Sequence, residues 1–445
     1  MKLLLAATAL MFSDGLPAKS PAAAGMSASR LAKIDHVVER GLAAGGFPGA
    51  SVVVGRKGFA VWEKGFGRLG WTPSSGYVIP DRTIYDIASL TKVVATTTAI
   101  MLLHDEGKVR LEDPVSRFLP GFSGGSKDRV TVHQLLTHRS GLPAGRDIWR
   151  IARTPDAARE AVIASALTAE PGSRYEYSDL GADILAFVAE AAAGERLDRY
   201  LQRRVFTPLG MTDTDFRPAG SLRGRIAPTE LTPPRGYPIR GEVHDENAFV
   251  LGGIAGHAGL FSTATDLAVF AQMMLNGGEY RGMRFLKPET VELFTRRTVG
   301  SRALGWDTCA STGSCGQYMS ERAYGHTGFT GTSLWIDPDR EMFVILLTNR
   351  VHASRARRPA KVIADVRADV ADAASLAVMD FGSVASMPLA FRADRAEGWN
   401  SAPVTKKVVK KKPVRRTVKK TVKAPKKKTA PAPKKKPAKA PAKKA

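Results

Sequence analysis

The sequence is short of cysteine: only Cys309 and Cys315 occur in 445 residues. That excludes a disulfide-stapled scaffold and a cysteine-clustered metal fold. No run of eighteen or more apolar residues occurs, so no membrane-spanning segment is expected. A phosphate-cradling Gly loop, a dinucleotide fingerprint and the His-Glu-x-x-His pattern of zinc hydrolases are all missing. No cofactor and no metal are expected. His244-Asp245-Glu246-Asn247, His257, His133 and His138 are read as structural or cleft-lining groups. Acidic residues are missing from positions 406–444, which hold 19 Lys or Arg. Of the net charge of +24, that stretch accounts for 19 and leaves about +5 for the rest. The basic character therefore belongs to a tail, and the body does not read as a nucleic-acid binder.

Residues 401–445 are read as a disordered tail of Lys, Pro, Ala, Val and Thr, joined to the body by a linker over 379–400. Such a tail binds anionic polymers, of the envelope or nucleic acid, through counterion release, or serves as a solvated tether. At the other end, Met1-Lys2 precedes Leu3–Phe12, in which only Thr8 is polar. With Ala22-Ala23-Ala24 as a small-residue cleavage site, residues 1–24 are read as a signal peptide, and the protein as periplasmic or secreted.

What remains, 25–378, is hydrophobic enough for a large core. Leu31, Ile34, Val38 and Leu42 fall at helical spacing. Gly49–Arg56 and Phe59–Gly67 read as a hairpin around Lys57-Gly58. Mostly helical patterns follow: Val93–His104, Ala157–Ala166, Gly181–Ala193, Leu197–Val205 and Thr263–Leu275. Strands return at Thr332–Ile336 and Glu341–Thr348, around the turn Asp337-Pro338-Asp339-Arg340, before a closing helix Val362–Ala377. The expected fold class is α+β. Early and late strands share one antiparallel sheet covered by helices, with a helical lobe of about 93–250 beside it and a cleft between.

Three short motifs carry chemistry. In Ser89-Leu90-Thr91-Lys92, Ser and Lys stand at i and i+3 on a helix start and share one face. A Lys amine with a depressed pKa takes the Ser proton there. Tyr177-Ser178-Asp179 follows 88 residues later, where a Tyr before a helix can relay protons. His326-Thr327-Gly328 comes 149 residues further on, with a hydroxyl and an imidazole to hold a substrate carboxylate and a Gly for close approach. Each motif alone fits a cap, a turn or a packed aromatic. In this order, with Ile87-Ala88 before Ser89, Leu135–Leu142 and Gly256–Thr263, the set resembles the serine penicillin-recognising family of β-lactamases, D-alanyl-D-alanine carboxypeptidases and related esterases.

The resemblance implies a β-lactamase-like α/β sandwich with an all-helical lobe. It implies Ser89 as the acylated nucleophile, Lys92 as its proton acceptor and Tyr177 as the relay to the leaving group. The amides of Ser89 and Phe329 would form the oxyanion hole, and Asp179, His326, Thr327 and Gly328 would contact substrate. Asp179 stands where many relatives carry Asn. An ionised Asp cannot donate to a substrate amide, and it can pair with Lys92 and favour its charged form. His326 supplies less positive charge near neutral pH than a Lys. Cys309 and Cys315 can close a small loop after export. The expected activity is acyl-enzyme hydrolysis of D-alanyl-D-alanine-type cell-wall peptides, on a small peptide or ester substrate. The alternatives are an esterase or β-lactamase of the same fold and, from another class, a non-catalytic envelope binder. A Ser89→Ala variant separates that last reading, since a binder needs no nucleophile.

Overall fold

Gly49–Arg56 (β1) and Phe59–Gly67 (β2) pair antiparallel as the expected hairpin. Lys57 and Gly58 both take left-handed backbone angles, with φ of 52° and 87°. A two-residue turn that follows the strand twist needs that geometry. The computed structural model describes residues 15–231, 235–310, 313–355, 359–382 and 385–399. Contacts divide the chain into one unit over Met1–Pro403 and a second over Val404–Ala445. The second unit, which holds the basic tail, lies outside the described residues, as does the apolar run Leu3–Phe12.

Late strands complete the sheet. Asp307–Thr308 (β3), Tyr324–Thr327 (β4), Ser333–Asp337 (β5) and Met342–Thr348 (β6) give the spatial order β2-β1-β6-β5-β4-β3, antiparallel throughout. Asp337 fixes the β5–β6 turn, its carboxylate accepting from Arg340 Nη1 at 3.0 Å. The expectation missed β3 and β4, because two and four residues are too few to display an alternating pattern.

β1 and β6 are buried along their whole length. Successive side chains of a strand point to opposite faces, and here the alternation feeds two cores. Ala50, Val52, Val54, Val344 and Leu346 pack with Ile34, Val38, Val366 and Val370. Those partners come from the helices Lys33–Ala43 (α1) and Ala360–Leu376 (α4). Val53, Phe343, Ile345 and Leu347 face the other core, with helix Ala264–Leu275 (α3) and the helical lobe. The lobe is organised around Asp179–Ala193 (α2), which is apolar nearly all round and buried.

Two expected boundaries shift. The stretch read as a linker over 379–400 packs on the first core through Phe391, Ala393 and Trp399. Trp399 Nε1 donates to Asp365 at 2.8 Å, and Arg392 bridges Asp369 and Asp372, each at 2.8 Å. Pattern reading passed over it because only one short helical turn, Arg392–Arg395, carries it. At the other end Ala22–Ala24 forms a packed turn, and buried Ala24 accepts from Arg56 Nη1 at 2.7 Å. Of the three residues read as a cleavage site, Ala24 packs there, while Ala22 and Ala23 are exposed. The described part of the body therefore begins before Ala24.

Candidate active site

Ser89 lies in the turn Ala88–Leu90, which leads directly into a π-helical turn Lys92–Thr97 and the helix Thr98–Asp105. Ala88 holds a left-handed φ of 47° immediately before the nucleophile candidate. A residue with a Cβ adopts such an angle only under outside constraint. Here Asp86 is the constraint: one carboxylate oxygen accepts from Ala88 N at 2.9 Å, the other from His244 N at 2.7 Å. The loop after β4 is laced to the same turn. Thr330 Oγ1 donates to Asp86 O at 2.8 Å and Thr332 Oγ1 to Ile87 O at 2.9 Å. A Cβ on Gly328 would lie 2.2 Å from Thr332 Oγ1 and 2.5 Å from Ile87 O. Gly328 thus serves the close approach of two protein loops, where the sequence reading assigned it to substrate.

Lys92 is buried and donates to Ser89 Oγ at 3.0 Å, Asp179 Oδ1 at 2.6 Å and His257 O at 3.3 Å. Three acceptors match the three donors of an ammonium. Burial pushes the Lys92 pKa down, but Asp179 and Tyr177 outweigh it and raise the pKa above the ordinary lysine value. The depressed pKa expected of a free-amine base is absent, and the pairing with Asp179 is its cause. His257 holds this arrangement from behind, between Asp183 at 2.7 Å and Asp245 at 2.9 Å. Burial opposes charge on His257, yet the two carboxylates raise its pKa well above the usual histidine range.

Tyr177 is brought over Lys92, its ring centroid 4.7 Å from Nζ. Ser178 caps α2 by accepting from Gly181 N at 3.0 Å, so Asp179 opens that helix and its carboxylate faces Lys92. His138 braces the motif. Its ring lies 4.6 Å from that of Tyr177, and its Nδ1 accepts from Ser178 N at 3.1 Å. The structural role read for His138 is therefore specific: it orients the tyrosine. His326 is 4% exposed, with its ring 6.0 Å from Tyr177 and Nδ1 2.8 Å from Thr327 O. Burial, Arg302 and Lys92 hold its pKa well below the histidine value. His326 is neutral at pH 7 and brings no positive charge.

Phe329, 51% exposed, stands between two cavities that share Ser89 and Tyr177. One, about 240 Å³, is lined by Asp179, His244, Asp245 and His257. The other, about 320 Å³, is lined by His326, Thr327, Arg302, Arg350 and Arg367. Neither the Ser89 nor the Phe329 amide donates a hydrogen bond among the described residues. The structure thus gathers every sequence-predicted site residue around one point. It adds Asp86 and the three arginines, which sequence reasoning missed as site residues, and it gives His138 and His257, read as structural or cleft-lining groups, specific places beside the motifs. Asp86, three residues before Ser89, had a usable signal in its proximity. The arginines had none, being three among 66 basic residues. Cys309 and Cys315, just beyond β3, are joined in a disulfide with Cα atoms 6.0 Å apart.

Comparison with known proteins agrees with this geometry. The family pattern described as Beta-lactamase matches residues 34–368. A protein of Escherichia coli (strain K12), provisionally named a D-alanyl-D-alanine carboxypeptidase, is 33% identical over 388 residues, 76% of this chain and 86% of the relative. An N-acetylmuramyl-L-alanine amidase of Bacillus subtilis (strain 168) is 34% identical over 363 residues, 73% of this chain and 82% of the relative. Among solved structures, the octameric penicillin-binding protein homologue from Pyrococcus abyssi superposes with a TM-score of 0.60. It is 24% identical and covers 75% of each chain. The chain belongs to the β-lactamase family of serine hydrolases.

Proposed function

We propose that the protein hydrolyses D-alanyl-D-alanine-type cell-wall peptides through an acyl-enzyme on Ser89. The observation that carries the reading is the chain Ser89 Oγ–Lys92 Nζ–Asp179 Oδ1, at 3.0 and 2.6 Å, beside two unengaged amides. An ammonium has no lone pair. Lys92 therefore accepts the Ser89 proton as it passes one of its own to Asp179, and the pair's net charge is unchanged. The Ser89 oxygen attacks the substrate carbonyl, whose oxyanion is held by the amides of Ser89 and Phe329. Tyr177 protonates the departing amine as the C–N bond breaks. Water then attacks the ester as it gives a proton to the Tyr177 phenolate, Ser89 leaves and takes back through Lys92 the proton held by Asp179, and acid and free enzyme result.

An ester substrate is the second reading. Asp179 is engaged with Lys92 and cannot donate to a substrate amide carbonyl, which an ester acyl group does not require. The test combines two measurements: release of D-alanine from an N-acyl-D-Ala-D-Ala peptide, and intact mass after excess benzylpenicillin. Turnover with a one-drug adduct, both lost in Ser89→Ala, supports the peptidase. No D-alanine and no adduct, with Ser89-dependent hydrolysis of nitrophenyl acetate, moves the assignment to the esterase.

The reading places the enzyme outside the cytoplasm, periplasmic or secreted. Its supports are the start Met1–Phe12 and the Cys309–Cys315 pair. Among the described residues no helix is long and apolar enough to cross a membrane. The Lys-rich tail is assigned to anionic envelope polymers. Removal of residues 401–445 is expected to abolish salt-sensitive co-sedimentation with purified cell walls, and unchanged co-sedimentation rejects the assignment.

A further inference from the structure

The cavity beside His326 carries more positive charge than one carboxylate requires. Arg302, Arg350 and Arg367 line it, against one carboxylate, Asp307, which lies 3.9 Å from Arg302 Nε. Arg350 and Arg367 have no ion-pair partner among the described residues. Arg302 and Arg350 are only 8% and 7% exposed, yet Nη1 of each is buried without a hydrogen-bond partner, as is Arg367 Nε. Burying like charges without counter-charge is costly. The strain shows in Arg367, whose pKa is pushed down to about 9 by burial and by Arg350.

The arginines are held in place. Arg302 Nε donates to Tyr175 Oη at 3.1 Å, and Arg350 lies 5.1 Å over the Phe329 ring. Arg367 Nη2 donates to Gly328 O at 2.6 Å and Thr332 O at 2.9 Å, beneath the loop that bears the Phe329 amide. With Nδ1 of neutral His326 donating to Thr327 O, its Nε2 carries the lone pair and is also unpartnered. The wall thus holds one unpartnered imidazole nitrogen and three guanidinium groups with a surplus of two charges.

We infer that this cavity is the leaving-group subsite and that it takes an amino-dicarboxylate, an amine bearing two carboxylates, in preference to a monocarboxylate. The inference rests on the acyl-enzyme step on Ser89 proposed above and revises its leaving group, with D-alanine, a monocarboxylate, accepted but not preferred. Arg302 and Arg350 are the specificity-determining residues, and Arg367 couples the anion site to the oxyanion loop.

The experiment compares kcat/KM for N-acyl-D-Ala-D-Glu and N-acyl-D-Ala-D-Gln, which differ by one charge at nearly constant shape. The expected preference for D-Glu is roughly tenfold or more. It falls toward one in Arg350→Gln and in Arg302→Gln. The wild-type ratio needs no variant to fold, and Arg350→Lys, which keeps the charge, should retain part of it. A wild-type ratio near one, or a ratio kept in both Gln variants, overturns the inference. Nitrophenyl acetate hydrolysis by wild type against Ser89→Ala separates the two levels. If it persists while the D-Glu preference is absent, only the subsite fails. If it is absent, the acyl-enzyme reading fails first.

Discussion

At the scale of single residues, Asp179 decides how the nucleophile is activated. A carboxylate 2.6 Å from Lys92 keeps that amine charged and is the only partner in the triad able to relieve it of a proton. Asp179→Asn leaves Lys92 without that acceptor and lowers its pKa. The variant is expected to lose roughly 10²-fold or more in kcat at pH 7. It should recover as pH rises through the lowered Lys92 pKa, where the wild type is flat. The check is a pH–rate profile with nitrophenyl acetate. A variant as active as wild type at pH 7 rejects the relay through Asp179. His138 acts one step back. Its Nδ1 takes the Ser178 amide, so His138→Ala should lower kcat more than it changes KM, and His138→Asn, which keeps an acceptor, should recover part of the loss.

At the scale of elements, the site is a seam between two loops, and Gly328 is its tightest stitch. Gly328→Ala forces the new methyl against the Ile87 carbonyl, so the nucleophile turn and the β4 loop must separate. The expected outcome is a lower Tm together with slower acylation by benzylpenicillin, read by stopped-flow quenching. A second seam joins three distant segments through Glu230, which is bonded to His244 at 2.9 Å and to Arg355 at 2.6 Å. Burial raises the Glu230 pKa, but these partners outweigh it and bring it down to about 2 from 4.5. A depressed carboxylate pKa contributes stability that is present above about pH 4.5 and lost as pH falls toward 2. The contribution is on the order of 3 kcal/mol. Glu230→Gln should flatten that part of the acid unfolding curve, followed by circular dichroism between pH 5 and 2. An unchanged acid limb would assign the acid sensitivity to other carboxylates.

At the scale of the whole molecule, the packed body runs to Trp399. Removal of residues 404–445 should leave Tm unchanged. Removal from 383 onward strips Phe391 and Trp399 from the first core, each a burial worth about 1.5–3 kcal/mol, and should lower Tm by several degrees in calorimetry. The same scale explains what was legible in the sequence. The β1–β2 hairpin, the β5–β6 hairpin and the long helices were readable, because period and turn chemistry are local. Ser89, Lys92, Tyr177 and His326 were readable as motifs. The Arg302–Arg350–Arg367 wall, the two short strands and the packed 385–399 segment were not. Each takes its meaning from partners far along the chain, and no periodicity records them.

The pairing of Val53 with Ile345 has a consequence in time. β1 is made early and its neighbour β6 almost last, 292 residues later from Arg56 to Thr348. At about 5–20 residues per second of synthesis, the wait is roughly 15–60 s. During it the first hairpin shows a bare apolar edge, and the second of its two cores has no floor. Late closure of this kind leaves apolar surface unpaired until the last strand has been made, which is the interval in which a chain is most open to aggregation.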